Sequence, residues 1–213
     1  MDNVITQKRR IGIVGAGDLG QQIAHLALKN GYHVAGFFDD YTSEPVMNMP
    51  VLGKFADIDQ QSNHFDALVL AVGYKHFLER KNLYERLADK YPFETIIDTS
   101  AIIDPTVQIG EGTVIYPNVT IDKDVVIEDN VVLNLSCNIC HNTTIGAHSY
   151  LAPAVNVAGF VHVGRCVFIG IGATIMDNLS IADNTIIGAQ SLANKEIADT
   201  GGVFVGVPAR KLT

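Results

Sequence analysis

The chain has 213 residues, 47% of them hydrophobic, enough for one large domain or two small ones with real cores. Its formal net charge of −8 gives no overall attraction to nucleic acid or an anionic membrane, so a polyanionic ligand must be met by local groups. The odd set of Cys137, Cys140 and Cys166, with no signal peptide and no apolar window near the roughly 18 residues of a membrane span, points to a reduced, cytoplasmic compartment.

The first recognisable unit is "RRIGIVGAGDLGQQIAHLALKNGYHVAGFFDD", which reads strand, glycine turn, helix, strand. Ile11, Ile13 and Val14 form a buried strand, and Leu19, Ile23 and Leu26 line one face of a helix that Gly31 ends. Gly15, Gly17 and Gly20 match G-x-G-x-x-G, and Asp39 and Asp40 close the second strand about twenty residues on. "FDALVLAVG" is expected as a third strand and "ETIID", Glu94 to Asp98, as a fourth, with a helix across "FLERKNLYERLADKY" between them. This gives a Rossmann-like α/β domain over 1–98. The glycine turn leaves backbone N–H groups and a helix N-terminus free for a phosphate without specifying one. An NAD-dependent oxidoreductase is the obvious competitor, but about four strands are available where six are usual, and no catalytic domain of that kind follows.

From Ile103 to Leu192 the sequence divides into fifteen hexads without insertion. The first place is Ile, Leu or Val in every hexad; the fifth is Val, Thr, Ser, Ala or Cys in all but one, where Leu179 stands. The second place is often Gly, Asp, Glu or Ala, as a tight corner would want. A period of six keeps every first residue facing one way if each hexad is a short strand and a bend, whereas a helix needs a period near 3.6. The rhythm therefore selects a parallel β-helix over 99–213.

The hexads resemble those of the hexapeptide-repeat acyltransferases, whose β-helix is left-handed with three hexads per coil. Joined to the small α/β unit and the ending "GVFVGVPARKL", they resemble the family of sialic-acid O-acyltransferases and bacillosamine-type nucleotide-amino-sugar N-acetyltransferases. The resemblance implies an acetyl-CoA-dependent N-acetyltransferase acting on a nucleotide-linked amino sugar of the 4-amino-dideoxy type. O-acetylation of sialic acid or another sugar, and a non-catalytic sugar-nucleotide-binding protein, stand as alternatives. By resemblance, Gly17, Asp18, Leu19, Asp39 and Asp40 meet the nucleotide sugar, although the family turn commonly has Gly-His-Gly where this chain has Asp18-Leu19-Gly20. Asn134 is expected near the acceptor, and Tyr150, Gly159, Ile171 and Ala189 along acetyl-CoA, with Arg210 and Lys211 either at its phosphates or simply solvated. A homotrimer with active sites between neighbouring prisms is also implied.

His141 stands third in the hexad ICHNTT, outside the inward set, so the core does not require it. A histidine titrates near neutrality and suits removal of a proton from an attacking nucleophile; the resemblance makes His141 the general base. The acid that usually follows it is replaced by Asn142, which either orients the ring or leaves the charge support to Asp124, one coil earlier. No metal is expected. Cys137-x-x-Cys140 lacks a second ligand pair, and His148 and His162 lack the spacing of a zinc-bound carbonic anhydrase; both are expected exposed or along the CoA groove. His25, His33, His64 and His76 belong to no motif.

Overall fold

The computed structural model describes residues 9–212. These fall into two compact units, one running to Gly73 and including Leu83–Glu94, the other made of Tyr74–Asn82 and the chain from Thr95 onward.

In the first unit, β1 (Arg10–Val14), β2 (His33–Phe38), β3 (Val51–Gly53) and β4 (Ala67–Leu70) form a parallel sheet in the order β3-β2-β1-β4. Helix α1 (Asp18–Lys29) follows the glycine turn, and a 3-10 helix, Phe55–His64, lies between β3 and β4. The sheet interior is continuously apolar, with Ile11, Ile13, Val14, Phe37, Phe38 and Leu68 fully buried, as a parallel strand covered on both faces requires. The fourth strand is β3, which sequence pattern did not reveal because it is three residues long and has no alternation. The expected strand at Glu94–Asp98 is corrected accordingly: Ile96–Ile97 pairs with Val114–Ile115 in the second unit. Ile97 stands eighteen residues, one full coil, before Ile115 and joins its ladder.

The second unit is the expected parallel β-helix. Two-residue strands recur every six residues, and each pairs in parallel with the strand eighteen residues away, as in Val132–Leu133 with Tyr150–Leu151. Three sheets result, and first-place aliphatics such as Ile139, Ile145 and Leu151 fill a single core with fifth-place Val131, Cys137 and Val155. The coil outlasts the expected repeat at both ends: Ala101 packs on the core at one end, and Ala193 and Ile197 join it at the other.

The corner residue sits at the fourth place, not the second. Asn118, Asp124, Asn130, Asn142, Asn178 and Asn184 all adopt positive φ there, and so do His148, Ala154 and Phe160. Asn and Asp tolerate the left-handed region, whereas a β-carbon with a bulky ring does so at a cost. Second-place glycines serve a different need, close approach: a Cβ on Gly170 would lie 2.5 Å from the Ala189 backbone nitrogen of the next coil.

Candidate active site

The glycine turn of the first unit assigns a separate task to each glycine. Gly15 has φ +112°, and a Cβ there would stand 2.9 Å from the Ala71 carbonyl oxygen; a Cβ on Gly20 would collide with the Gly15 carbonyl. Gly17, by contrast, has nothing within 4 Å of where its Cβ would be and caps α1 in an extended conformation. The first and third glycines thus build the turn, and the middle one leaves its backbone open to a ligand. Asp18 and Leu19 begin α1, with the Asp18 carboxylate exposed in its first turn.

Asp39 is buried at the end of β2 and already heavily engaged. Its Oδ2 accepts the Ala16 N–H at 2.8 Å, tying the glycine turn to β2, while Oδ1 accepts the N–H groups of Tyr41 and Thr42. Asp40 accepts the Phe55 N–H at 2.9 Å. Both residues line a cleft of about 290 Å³, together with Tyr41, Thr42, Lys54 and Asp57. A ligand there would meet Lys54 and the Asp40 carboxylate more freely than Asp39.

On the prism, His141 is half-buried beside the corner formed by Asn142. Its Nδ1 lies 3.1 Å from Asn142 Oδ1. An amide oxygen can only accept, so this contact holds the proton on Nδ1 and leaves the Nε2 lone pair for a substrate. Among the described residues, His141 is hydrogen-bonded to Asn142 and to no carboxylate, while the Asp124 N–H donates to Thr106 Oγ1. Phe160 meets the imidazole edge-on, ring centroids 5.2 Å apart.

Asn134, buried on the next corner, donates from Nδ2 to the Tyr150 hydroxyl at 3.0 Å and accepts the Leu135 N–H through Oδ1. Tyr150 is buried against Tyr74, and Tyr74 stacks on Phe168 at 4.3 Å with ring planes 20° apart. Tyr116 is buried nearby, its hydroxyl without a hydrogen-bond partner among the described residues. Gly159 lies at the corner of His141, one coil on, where the Phe160 N–H donates to the His141 carbonyl. Ile171 and Ala189 share the other edge of the same sheet, joined by the bond from the Gln190 N–H to the Ile171 carbonyl. Among the described residues, the N–H groups of Gly159, Ile171 and Ala189 donate to no protein group, whereas at the same place of other hexads those of Glu111, Ala147 and Arg165 bind carboxylates. Three unspent donors therefore flank this sheet.

His148 corrects its expectation of exposure: it is only 1% exposed. Asn130 links it to the buried Arg80, whose Nη2 donates to both the carbonyl and Oδ1 of Asn130 at 2.7 and 2.6 Å. Burial lowers the His148 pKa to about 4, with Arg80 adding to the effect. His162 is exposed. Burial pushes the Cys137 thiol up to about 12, unlike a metal-binding thiolate, and no group of three or more metal-ligating side chains occurs among the described residues. Lys211 pairs with Asp199 at 3.1 Å. No described helix is long and apolar enough to cross a membrane.

Sequence reasoning did not single out Arg80, Tyr116 or Phe160. Only Phe160 gave a signal, as a large ring at the fourth place, where Asn is the commonest residue.

Residues 10–87 match the family model of the PglD N-terminal domain, and residues 97–201 that of the GMPPB C-terminal domain. The chain is 34% identical over 135 residues to YvoF of Bacillus subtilis (strain 168), described provisionally as an acetyltransferase, covering 63% of each chain. It is also 34% identical over 69 residues to the UDP-3-O-acylglucosamine N-acyltransferase of Cupriavidus pinatubonensis, 19% of that protein's length. The chain thus spans less than two thirds of these curated relatives. Among solved structures, PerB from Caulobacter crescentus in complex with CoA and GDP-perosamine aligns with a TM-score of 0.90 at 27% identity, covering 96% of this chain and 97% of that one. The acetyltransferase domain of PglB from Neisseria gonorrhoeae, in complex with acetyl coenzyme A, aligns with a TM-score of 0.89 at 25% identity, covering 96% of this chain and all of that one.

Proposed function

Because the chain belongs to the hexapeptide-repeat, left-handed β-helix sugar acetyltransferases, we propose that it moves an acetyl group from acetyl-CoA to the amino group of a nucleotide-linked amino sugar. The observation that carries this reading is the near full-length likeness to an enzyme crystallised with both CoA and GDP-perosamine. N-acetylation is preferred because a neighbour of equal likeness is a GDP-perosamine N-acetyl transferase.

In the proposed reaction the amine nitrogen attacks the thioester carbonyl carbon. A C–N bond forms, the C–S bond breaks, and the amine proton passes to His141 Nε2 and from there to the departing CoA sulfur. Asn142 fixes the ring with Nδ1–H toward its own Oδ1, so that the lone pair stands ready on Nε2. The free N–H groups of Gly159, Ile171 and Ala189 are suited to the amides of a pantetheine arm, with Tyr150 beside them, and groove N–H groups would polarise the thioester carbonyl. Asn134 is assigned to the acceptor sugar. Gly17, Asp18, Leu19, Asp39 and Asp40 are assigned to the nucleotide end, within the first unit. The β-helix, in the second unit, supplies the acyl chemistry.

We further assign the working form to a cytoplasmic homotrimer. Leu135, Ile171 and Met176 stay exposed on the prism, apolar surface that neighbouring copies would cover.

Incubation with acetyl-CoA and a panel of UDP-, GDP- and dTDP-linked amino sugars tests the proposal through free thiol release and mass spectra of the products. Thiol release with an alkali-stable acetylated sugar supports it. An alkali-labile product would move the assignment to O-acetylation, and no product with any acceptor would favour a binding protein.

A further inference from the structure

We infer that Gly159 and Phe160 form the seat that fixes the His141 imidazole. Gly159 stands one coil on from His141 and Phe160 one coil on from Asn142, and neither is explained by the repeat itself.

Gly159 is buried, and its backbone lies outside the left-handed region, so the main chain there does not ask for glycine. Space does. A Cβ at this position would stand 2.7 Å from His141 Cε1, 3.0 Å from Nε2 and 3.2 Å from Nδ1, the three nearest heavy atoms to it. Real Cβ atoms do not approach that closely, and a side-chain ring moves more cheaply than a packed coil. An added methyl group would therefore push the imidazole off its present site while leaving the core, which holds neither residue, intact.

Phe160 supplies the second wall. It adopts φ +59°, a region that a bulky side chain occupies at a cost, and its ring is 56% exposed, so burial does not repay that cost. The contact it does make is edge-on to His141. The ring is thus bounded by Gly159, by Phe160 at right angles to it, and at Nδ1 by Asn142 Oδ1. In this role Gly159, through its missing Cβ, and Phe160 are positioning residues that act on the reaction through the histidine; the Gly159 N–H assigned to the acyl donor is a separate group that an alanine variant retains.

The catalytic consequence rests on the proposed function; the ring placement does not, and the two are tested together. Histidine-selective 15N labelling gives the His141 resonances, identified by their loss in His141→Ala. The wild type is expected to show the Nδ1–H tautomer. Gly159→Ala is expected to keep its melting temperature, lose that single tautomer and lower kcat on the order of 10²-fold, with KM for both substrates within about threefold. Phe160→Asn, which relieves the strained φ, is expected to melt no lower than wild type yet lower kcat several-fold. It keeps the inference testable if Gly159→Ala does not fold. An unchanged His141 spectrum in both variants overturns the inference even if wild type turns over acetyl-CoA. A rise in KM for acetyl-CoA alone, with the imidazole unmoved, overturns it as well. A moved imidazole in a protein without transferase activity upholds the seat and removes the proposed function instead.

Discussion

Asn130 Nδ2 lies 3.0 Å from His148 Nδ1, and the direction of that hydrogen bond is set by a third residue. Arg80 can only donate, and its Nη2 claims Asn130 Oδ1. Asn130 must then turn its N–H₂ toward the histidine, so Nδ1 has to keep its lone pair. Protonating Nδ1 would set two donors against each other beside a buried guanidinium.

The pH dependence follows in sign. His148 has its pKa lowered in the fold to about 4 from an ordinary 6.5, so between those values the unfolded chain binds the extra proton and stability falls as the pH falls. The loss should begin below about pH 6.5 and flatten near pH 4, amounting to a few kcal/mol at most. Urea midpoints measured from pH 7.5 to 4.5 should decline in wild type and decline less in His148→Asn, which suits the left-handed corner and does not titrate. Equal slopes would show that other groups govern the acid limb.

Arg80 is the largest fully buried side chain, and burial draws its own pKa down to about 10. Replacing it with Met would leave the Asn130 carbonyl and Oδ1 without the donor they now share. We expect a loss of about 3 kcal/mol, read as a lower urea midpoint with an unchanged m-value. A midpoint within experimental scatter of wild type would mean that water or a rearranged Asn130 makes up the contact.

Ala154 occupies the corner place at φ +59° with an exposed methyl group. Asn is at ease in that conformation, so Ala154→Asn should stabilise by about 1 kcal/mol and raise the melting temperature by a few degrees. A fall in melting temperature would count against the strain assigned to the corner.

Asn142→Asp tests the local chemistry of the base. Aspartate also fits the corner, as Asp124 shows at φ +57°, and a carboxylate beside the imidazole favours its protonated form. The acidic limb of the kcat/KM profile should move to higher pH. An unmoved limb would mean that another group sets it.

Much of this molecule could be read from its residues because the coil repeats one physical rule. Ile139, Ile145 and Leu151 announce their inward places by spacing alone, and His141 stands out by breaking no core position. The same rhythm concealed the ends, where Ile97 and Ala193 continue the coil after the clear hexads stop, and it gave no sign that β3 exists. His148 is not legible as buried because fourth-place corners are normally exposed, and its contact with Asn130, which Arg80 holds, appears only in three dimensions. Arg80 is one charge among several in a helical stretch, and nothing local separates it from Lys81 or Arg86. Gly159 is expected along acetyl-CoA by resemblance alone, and nothing near it in sequence shows that a Cβ there would meet His141, eighteen residues away.

The most direct measurement compares wild type with His141→Ala in steady-state thiol release from acetyl-CoA and in calorimetric binding of a nucleotide-linked amino sugar that wild type acetylates. The account predicts a fall in kcat of about 10²-fold or more, with both ligands bound about as tightly as before. Comparable turnover in the two proteins would contradict it.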